Sequence, residues 1–170
     1  MPTIPSSVPT DGFVSVKWVA TIATPDAPKL ATEINATTSV ALECYLKENF
    51  SPDSSTEAVE DRRMCSKQVF QTPGTTTVSI SELVGVYDPQ DLEGLSSKAY
   101  AALAPGATGF LVVRWGVDVD TAWAVGDLVD VFPVTIANRI KVAPEQNAQL
   151  KFKATPMVTG NLVEDVALVS

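Results

Sequence analysis

Five charged residues stand within seven positions: Glu57, Glu60, Asp61, Arg62 and Arg63. Carboxylates set beside guanidinium groups can have their proton affinities tuned, and a tuned pair can act as general acid and base. No second catalytic residue type accompanies them, and the chain has no histidine. That excludes a histidine-based triad or dyad and imidazole metal ligation. The cluster reads instead as a solvated or intersubunit salt-bridge segment. Asp118-Val119-Asp120 offers the oxygen ligands a divalent cation takes, but two acids in an acidic loop read as solvated, and no metal is assigned. Trp18, Trp115 and Trp123 could form a sugar-binding platform. Trp18 and Trp115 fall on apolar strand faces, which predicts core packing, so Trp123, between Ala122 and Ala124, is the better interface candidate. Cys44 and Cys65 are too far apart for a C-x-x-C redox or zinc motif. They flank strand-like segments and form a candidate cysteine pair, with two free packed thiols as the alternative in a reducing compartment. No P-loop, G-x-G-x-x-G or nucleophile elbow occurs. The residues thus point to no enzyme and no cofactor.

The charged cluster opens a segment, residues 57–87, that reads as one long β-hairpin with a charged entrance. Val78, Ile80, Val84 and Val86 alternate with Thr77, Ser79, Ser81, Gly85 and Tyr87, and a period of two predicts a strand. Thr72-Pro73-Gly74-Thr75 predicts the reversal, proline presetting the first central position of a type II turn and glycine the second. One face of Ser and Thr is too polar for a sealed core. Such a ribbon needs neighbours, and another copy of the chain could supply them.

Around it the sequence predicts six to eight strands and two short helices. A strand spans residues 13–22, with Val14, Val16, Trp18, Ala20 and Ile22 on its apolar face. Asp26 is positioned to cap a two-turn helix through about Asn35, burying Leu30, Ile34 and Ala31. A second strand covers 40–46, and 47–56 is a loop. Ser96 or Ser97 begins a helix ended by Pro105-Gly106, with Tyr100, Leu103 and Ala104 inward. Residues 108–117 are the most apolar and predict the central strand. A loop, 118–127, holds three acids and no base. A strand over 128–140 contains Pro133, which predicts an edge or a bulge. Residues 150–158 and 162–169 predict a second hairpin about Thr159-Gly160-Asn161. The fold class is mainly β (α+β): an antiparallel β-sandwich or barrel-like domain with one or two short helices outside, whose long hairpin contributes to an intersubunit barrel.

The 170 residues suit a single domain, 1–170, with a sizeable core. Charged residues make up 19 % and apolar ones 45 %, a low charge share that predicts surface covered by partners. The net charge of −8 opposes tight clamping of a nucleic-acid backbone. No apolar run reaches the roughly 18 residues that span a bilayer, so no membrane partner is expected. Residues 1–12 lack the basic and apolar regions of a secretory signal, and 1–11 read as a flexible arm. Without such a signal the sequons at Asn35 and Asn49 carry little weight.

Taken in order, the pieces resemble the major tail tube proteins of long-tailed, siphovirus-type bacteriophages, the small single-domain type of actinobacterial hosts. The resemblance rests on Val14-Ser15-Val16-Lys17-Trp18-Val19, on Leu30-Ala31-Thr32-Glu33-Ile34-Asn35-Ala36 leading into Leu42-Glu43-Cys44-Tyr45-Leu46, and on Glu60-Asp61-Arg62-Arg63-Met64-Cys65. It continues through Phe70-Gln71-Thr72-Pro73-Gly74, Val86-Tyr87-Asp88-Pro89-Gln90 and Lys153-Ala154-Thr155-Pro156-Met157-Val158-Thr159-Gly160, and ends in Val163-Glu164-Asp165-Val166. The resemblance implies a structural virion protein, assembled in the bacterial host cytoplasm, that stacks as homohexameric rings into a hollow, non-contractile tube. Each subunit would give four antiparallel strands to a continuous inner barrel. The implied partners are other copies of the chain, a tape-measure protein, tail terminator and distal tail proteins, and double-stranded DNA in transit. On this reading the subunit-interface and lumen candidates are Glu57, Glu60, Asp61, Arg62, Arg63, Thr77, Ser79, Ser81, Glu82 and Trp123. The charged base of the hairpin would lie at a ring-to-ring junction, and charge reversal at Glu60 and Asp61 would impair assembly without unfolding the monomer.

Two other classes compete. A capsid decoration or head–tail connector β-sandwich would form a trimer or one closed ring. A sugar-binding β-sandwich module would need an exposed aromatic platform.

Overall fold

The structure, a computed structural model, describes residues 7–47 and 50–170. Residues 1–6 of the expected arm, and Glu48 and Asn49 of the expected 47–56 loop, lie outside them. The strands in chain order are β1 (Val14–Val19), β2 (Val40–Ala41), β3 (Pro52–Asp61), β4 (Phe70–Ile80), β5 (Leu83–Val86), β6 (Thr108–Trp115), β7 (Leu128–Lys141), β8 (Lys151–Val158) and β9 (Val163–Ala167). They form two antiparallel sheets. One has the order β2-β1-β6-β7-β8-β5, with β9 also paired to β7; the other is β3-β4 alone.

The larger sheet curls into a half-barrel. Its two edges meet where the chain after β2 bridges to β5, Leu46 opposite Gly85, with Lys47 N–H donating to Val84 O and Val86 N–H to Tyr45 O. The most apolar segment is central, as its composition predicts: Leu111, Val112 and Val113 of β6 are fully buried. Alternation sends Leu111 and Val113 to one face with Trp18, Phe132, Val134 and Phe152, and Val112 to the other with Val19, Ile34, Val131 and Leu168. Each such side chain contributes roughly 1.5–3 kcal/mol by leaving water. Helix α1 (Lys98–Ala102), entered through a 3₁₀ turn at Leu95–Ser97, packs beside β2 and β5 and adds Ala99 and Leu103 to the first cluster. Of its expected inward face only Leu103 is fully buried.

Several sequence expectations fail for local reasons. The two-turn helix from Asp26 shrinks to one π-helical turn, Leu30–Ile34. Ile34 is fully buried as expected, whereas Ala31 is exposed. Residues upstream turn instead, Ala27 N–H donating to Thr24 O, and the Glu33 carboxylate ties the loop by accepting from Ala23 and Lys29 N–H at 2.8 and 2.7 Å. The expected 40–46 strand stops at Ala41, where Leu42 starts a turn. The hairpin expected about Thr159-Gly160-Asn161 does not form. β8 pairs with Val134–Lys141 of β7 and β9 with Leu128–Val131, so the chain runs on along one edge of β7 rather than reversing. Pro133 stands opposite Phe110 of β6, so β7 is no edge strand. It marks the gap between β8 and β9, and its carbonyl accepts from Thr159 N–H across that gap, so its missing donor falls where no partner strand is paired.

Candidate assembly interface

The charged cluster lies on a projecting ribbon. β3 and β4 pair from Pro52–Ile80 at the root to Asp61–Phe70 at the far end, about 30 Å at roughly 3.3 Å per residue. Almost every ribbon residue is exposed; only Ile80, at the root, is buried. The reversal is at 62–69, not at Thr72-Pro73-Gly74-Thr75. Pro73 instead faces Ala58 within the ladder, next to a register shift that sets one residue, Glu57, against two, Gly74 and Thr75. A Cβ on Gly74 would lie 2.9 Å from Glu57 O, so glycine is there for close approach of the strands. The expected loop 47–56 loses its second half to β3. The single expected strand 77–87 breaks at Ser81-Glu82, and the break inverts its faces: Leu83 and Gly85 are buried while Val84 and Val86 are half-buried. The space over Gly85 belongs to the Phe152 ring, 2.6 Å from where a Cβ would stand.

The relocated reversal places the charges at the tip rather than the base. Glu57, Glu60 and Asp61 lie along outer β3, and Arg62 and Arg63 in the turn, all exposed. Arg63 pairs with Asp61 at 2.9 Å, and Gln71 donates to Glu60 at 3.5 Å. Thr77 and Ser79 lie toward the root, opposite Ser55 and Asp53, and share one polar face. Ser81 and Glu82 form the connector into β5, where Glu82 meets Lys153 at 3.0 Å. The ten interface and lumen candidates therefore divide into a charged tip, a polar root, and Trp123 on the main body.

On that body the sequence reading missed Arg114. It stands at an otherwise apolar alternation in β6 and its side chain is 0 % exposed. Its guanidinium donates to Asp127 Oδ2 at 2.8 Å and to the carbonyls of Thr121, Ala122 and Asp118 at 2.7, 3.2 and 3.4 Å. The acid-rich loop that holds no base is thus organised by a base from the strand before it. An arginine breaking an apolar run just ahead of three acids was the available signal. Burial raises the Asp127 carboxyl, but hydrogen bonds from Ala124 N–H and Arg114 and the charge of Arg114 outweigh this and hold it below its ordinary value. Trp123 is half-buried between two cations, with Lys17 Nζ 4.7 Å and Arg114 Cζ 4.9 Å from its ring centre. Desolvation lowers the Lys17 pKa and nearby Arg114 lowers it further, against the opposing charge of Glu43.

Trp18 is buried as expected. Trp115 is not: it is 41 % exposed, donates to Asp130 at 2.6 Å and leans on Phe50, because it ends β6 where the sheet runs out. Cys44 and Cys65 are both exposed free thiols, one on the body and one at the ribbon tip.

Among curated proteins none matches this chain. One solved structure similar to it is described as the anti-feeding prophage baseplate, 6-fold symmetrised, at 9 % identity and a TM-score of 0.49, covering 96 % of this chain and 98 % of the other. A family model described as phage tail tube protein matches residues 1–170, and the chain belongs to that family.

Proposed function

We propose that this tail tube protein polymerises as stacked homohexameric rings into a hollow, non-contractile tube that conducts double-stranded DNA during ejection. The ribbon carries the reading. A two-stranded sheet with both faces and both outer edges in water is marginal alone, and it offers two unpaired strand edges to a neighbour. Closing such edges around a ring removes them. Head-to-tail contacts of this kind yield closed rings or open filaments, and a tube is both. The face of Thr77 and Ser79 suits a water-filled bore. Six copies at −8 carry −48, and acidic residues lining that bore would repel phosphates so that DNA slides. A tape-measure protein would set the length, and tail terminator and distal tail proteins would close the ends. Contacts that form only on stacking would hold assembly back until it is templated in the host cytoplasm.

Negative-stain imaging of the concentrated protein tests this. Hollow tubes of uniform bore are the expected result. A trimer or a single ring that never extends would overturn it in favour of a decoration or connector protein.

A further inference from the structure

Beside the root of the ribbon lies an open groove of about 470 Å³, lined on its apolar side by Val14, Leu46, Phe50 and Trp115 and rimmed by Asp11 and Glu43. Two features of it are unsatisfied. Trp115 leaves two fifths of its surface in water, and Glu43 Oε2 is buried with no hydrogen-bond partner. A carboxylate oxygen out of water without a donor is costly, and a cation entering the groove would relieve it. Lys17 lies within reach of its field, but its ammonium donates to Asn35 Oδ1 at 2.9 Å and makes no hydrogen bond to Glu43 Oε2.

The ribbon tip has the complementary surface. In a chain of net charge −8, its turn, 62–69, carries Arg62, Arg63 and Lys67 and no acid, just beyond Glu60 and Asp61 at the end of β3. Beside these bases Met64 is fully exposed, and Phe70 and Val59 are more than half exposed. The tip cannot reach its own groove. Phe50 lies in the groove and β3 begins two residues later, so the groove is at the root, about 30 Å from the turn. The occupant must come from another molecule.

We infer that the ribbon tip of one copy docks in the root groove of a second copy, Met64 and Phe70 against Phe50 and Trp115, and Arg62 on Glu43 and Asp11. This rests on the tube reading and specifies its contact. Tip and groove are different surfaces, so the contact is heterologous: every subunit has one of each, and the series continues without a symmetric stop.

The test is a charge swap on the full-length protein, reading the critical concentration for assembly by sedimentation. Arg62→Glu and Glu43→Arg should each raise it by at least about thirtyfold, the low end for losing one partner of a desolvated charge pair. The double variant Arg62→Glu/Glu43→Arg should recover most of that loss. Asp11→Arg, at an exposed rim position, repeats the test without touching the buried carboxylate, and circular dichroism confirms folding in each case. Tubes that form normally from both single variants, or a double variant no better than its parents, overturn the docking contact while leaving the tube standing. A wild-type protein that stays monomeric at every concentration, even with sheared phage tails added as seeds, overturns both.

Discussion

Asp127→Asn isolates what the Arg114 network contributes. The arginine side chain is wholly buried, and Asp127, 19 % exposed, is the one carboxylate it meets. Removing one partner of a buried ion pair costs about 3–5 kcal/mol, because the other charge remains desolvated. Three carbonyls still face the guanidinium, and asparagine keeps an acceptor, so a smaller loss of about 2–3 kcal/mol is expected, below that range. For a domain of this size each kcal/mol moves Tm by roughly 2–4 °C, giving a fall of about 4–12 °C by scanning calorimetry at neutral pH. The pH dependence follows from the direction of the shift. The Asp127 carboxyl in the folded state lies below its ordinary value of 3.8, so its stabilisation is fully present above that value and is lost as pH falls through the folded value. The gap between wild type and variant should therefore be full at neutral pH and close below about pH 4. Arg114→Met/Asp127→Asn should regain part of the loss, since an apolar side chain leaves no charge to desolvate. A neutral-pH difference under about 2 °C, or one that persists unchanged in acid, would show that the guanidinium is satisfied by carbonyls alone and refute the reasoning.

Other positions give independent checks. Gly109→Ala would set a Cβ 2.7 Å from the Trp18 ring and 2.8 Å from Val19 O, overpacking the centre of the sheet. It should cost about 1–3 kcal/mol in urea unfolding, and an unchanged midpoint would argue against the Trp18–Gly109 contact. Both thiols are exposed and free, so Ellman's reagent should titrate two equivalents without denaturant, whereas none would indicate a Cys44–Cys65 disulfide. Charge reversal at Glu60 and Asp61 to lysine would place four bases in succession and release Arg63 from its 2.9 Å contact with Asp61. Because Asp61 and Glu60 hold Arg63 and Gln71 in place at the tip, assembly should fail despite the added positive charge while the circular dichroism of the monomer stays native; unchanged tubes would remove the two acids from the interface.

How much was legible in the sequence follows from where burial wrote a pattern. β6 and most of β7 are packed on both faces, and their apolar runs announce them. The ribbon has no buried face, so Ser54, Ser55 and Thr56 looked like loop although they are strand. Pro73-Gly74 has the chemistry of a turn and serves a ladder irregularity instead, because a strand bulge and a type II turn ask for the same residues. Thr159-Gly160-Asn161 misled in the same way: Gly160 is needed where the chain passes over Pro133, a Cβ there lying 2.9 Å from its ring. Arg114 left only one trace in the sequence, its break in an apolar run ahead of three acids, because its other partners are carbonyls of a loop.

The two parts of the molecule stand on different energetic footing. The half-barrel has two apolar clusters and would hold its shape in isolation. The ribbon orders two long strands at a cost in backbone entropy and buries little beyond Ile80 to offset it, so it is marginal on its own. Any surface that covers Met64 and Phe70 or pairs a free strand edge tips it toward order, and the ordering entropy is then lost at the moment of contact. Such coupling makes the first contact between subunits weak and later ones stronger, as each ordered ribbon presents a preformed partner to the next copy. On the tube reading proposed above, a chain built this way would stay dispersed until something gathers several copies at once, and would then extend.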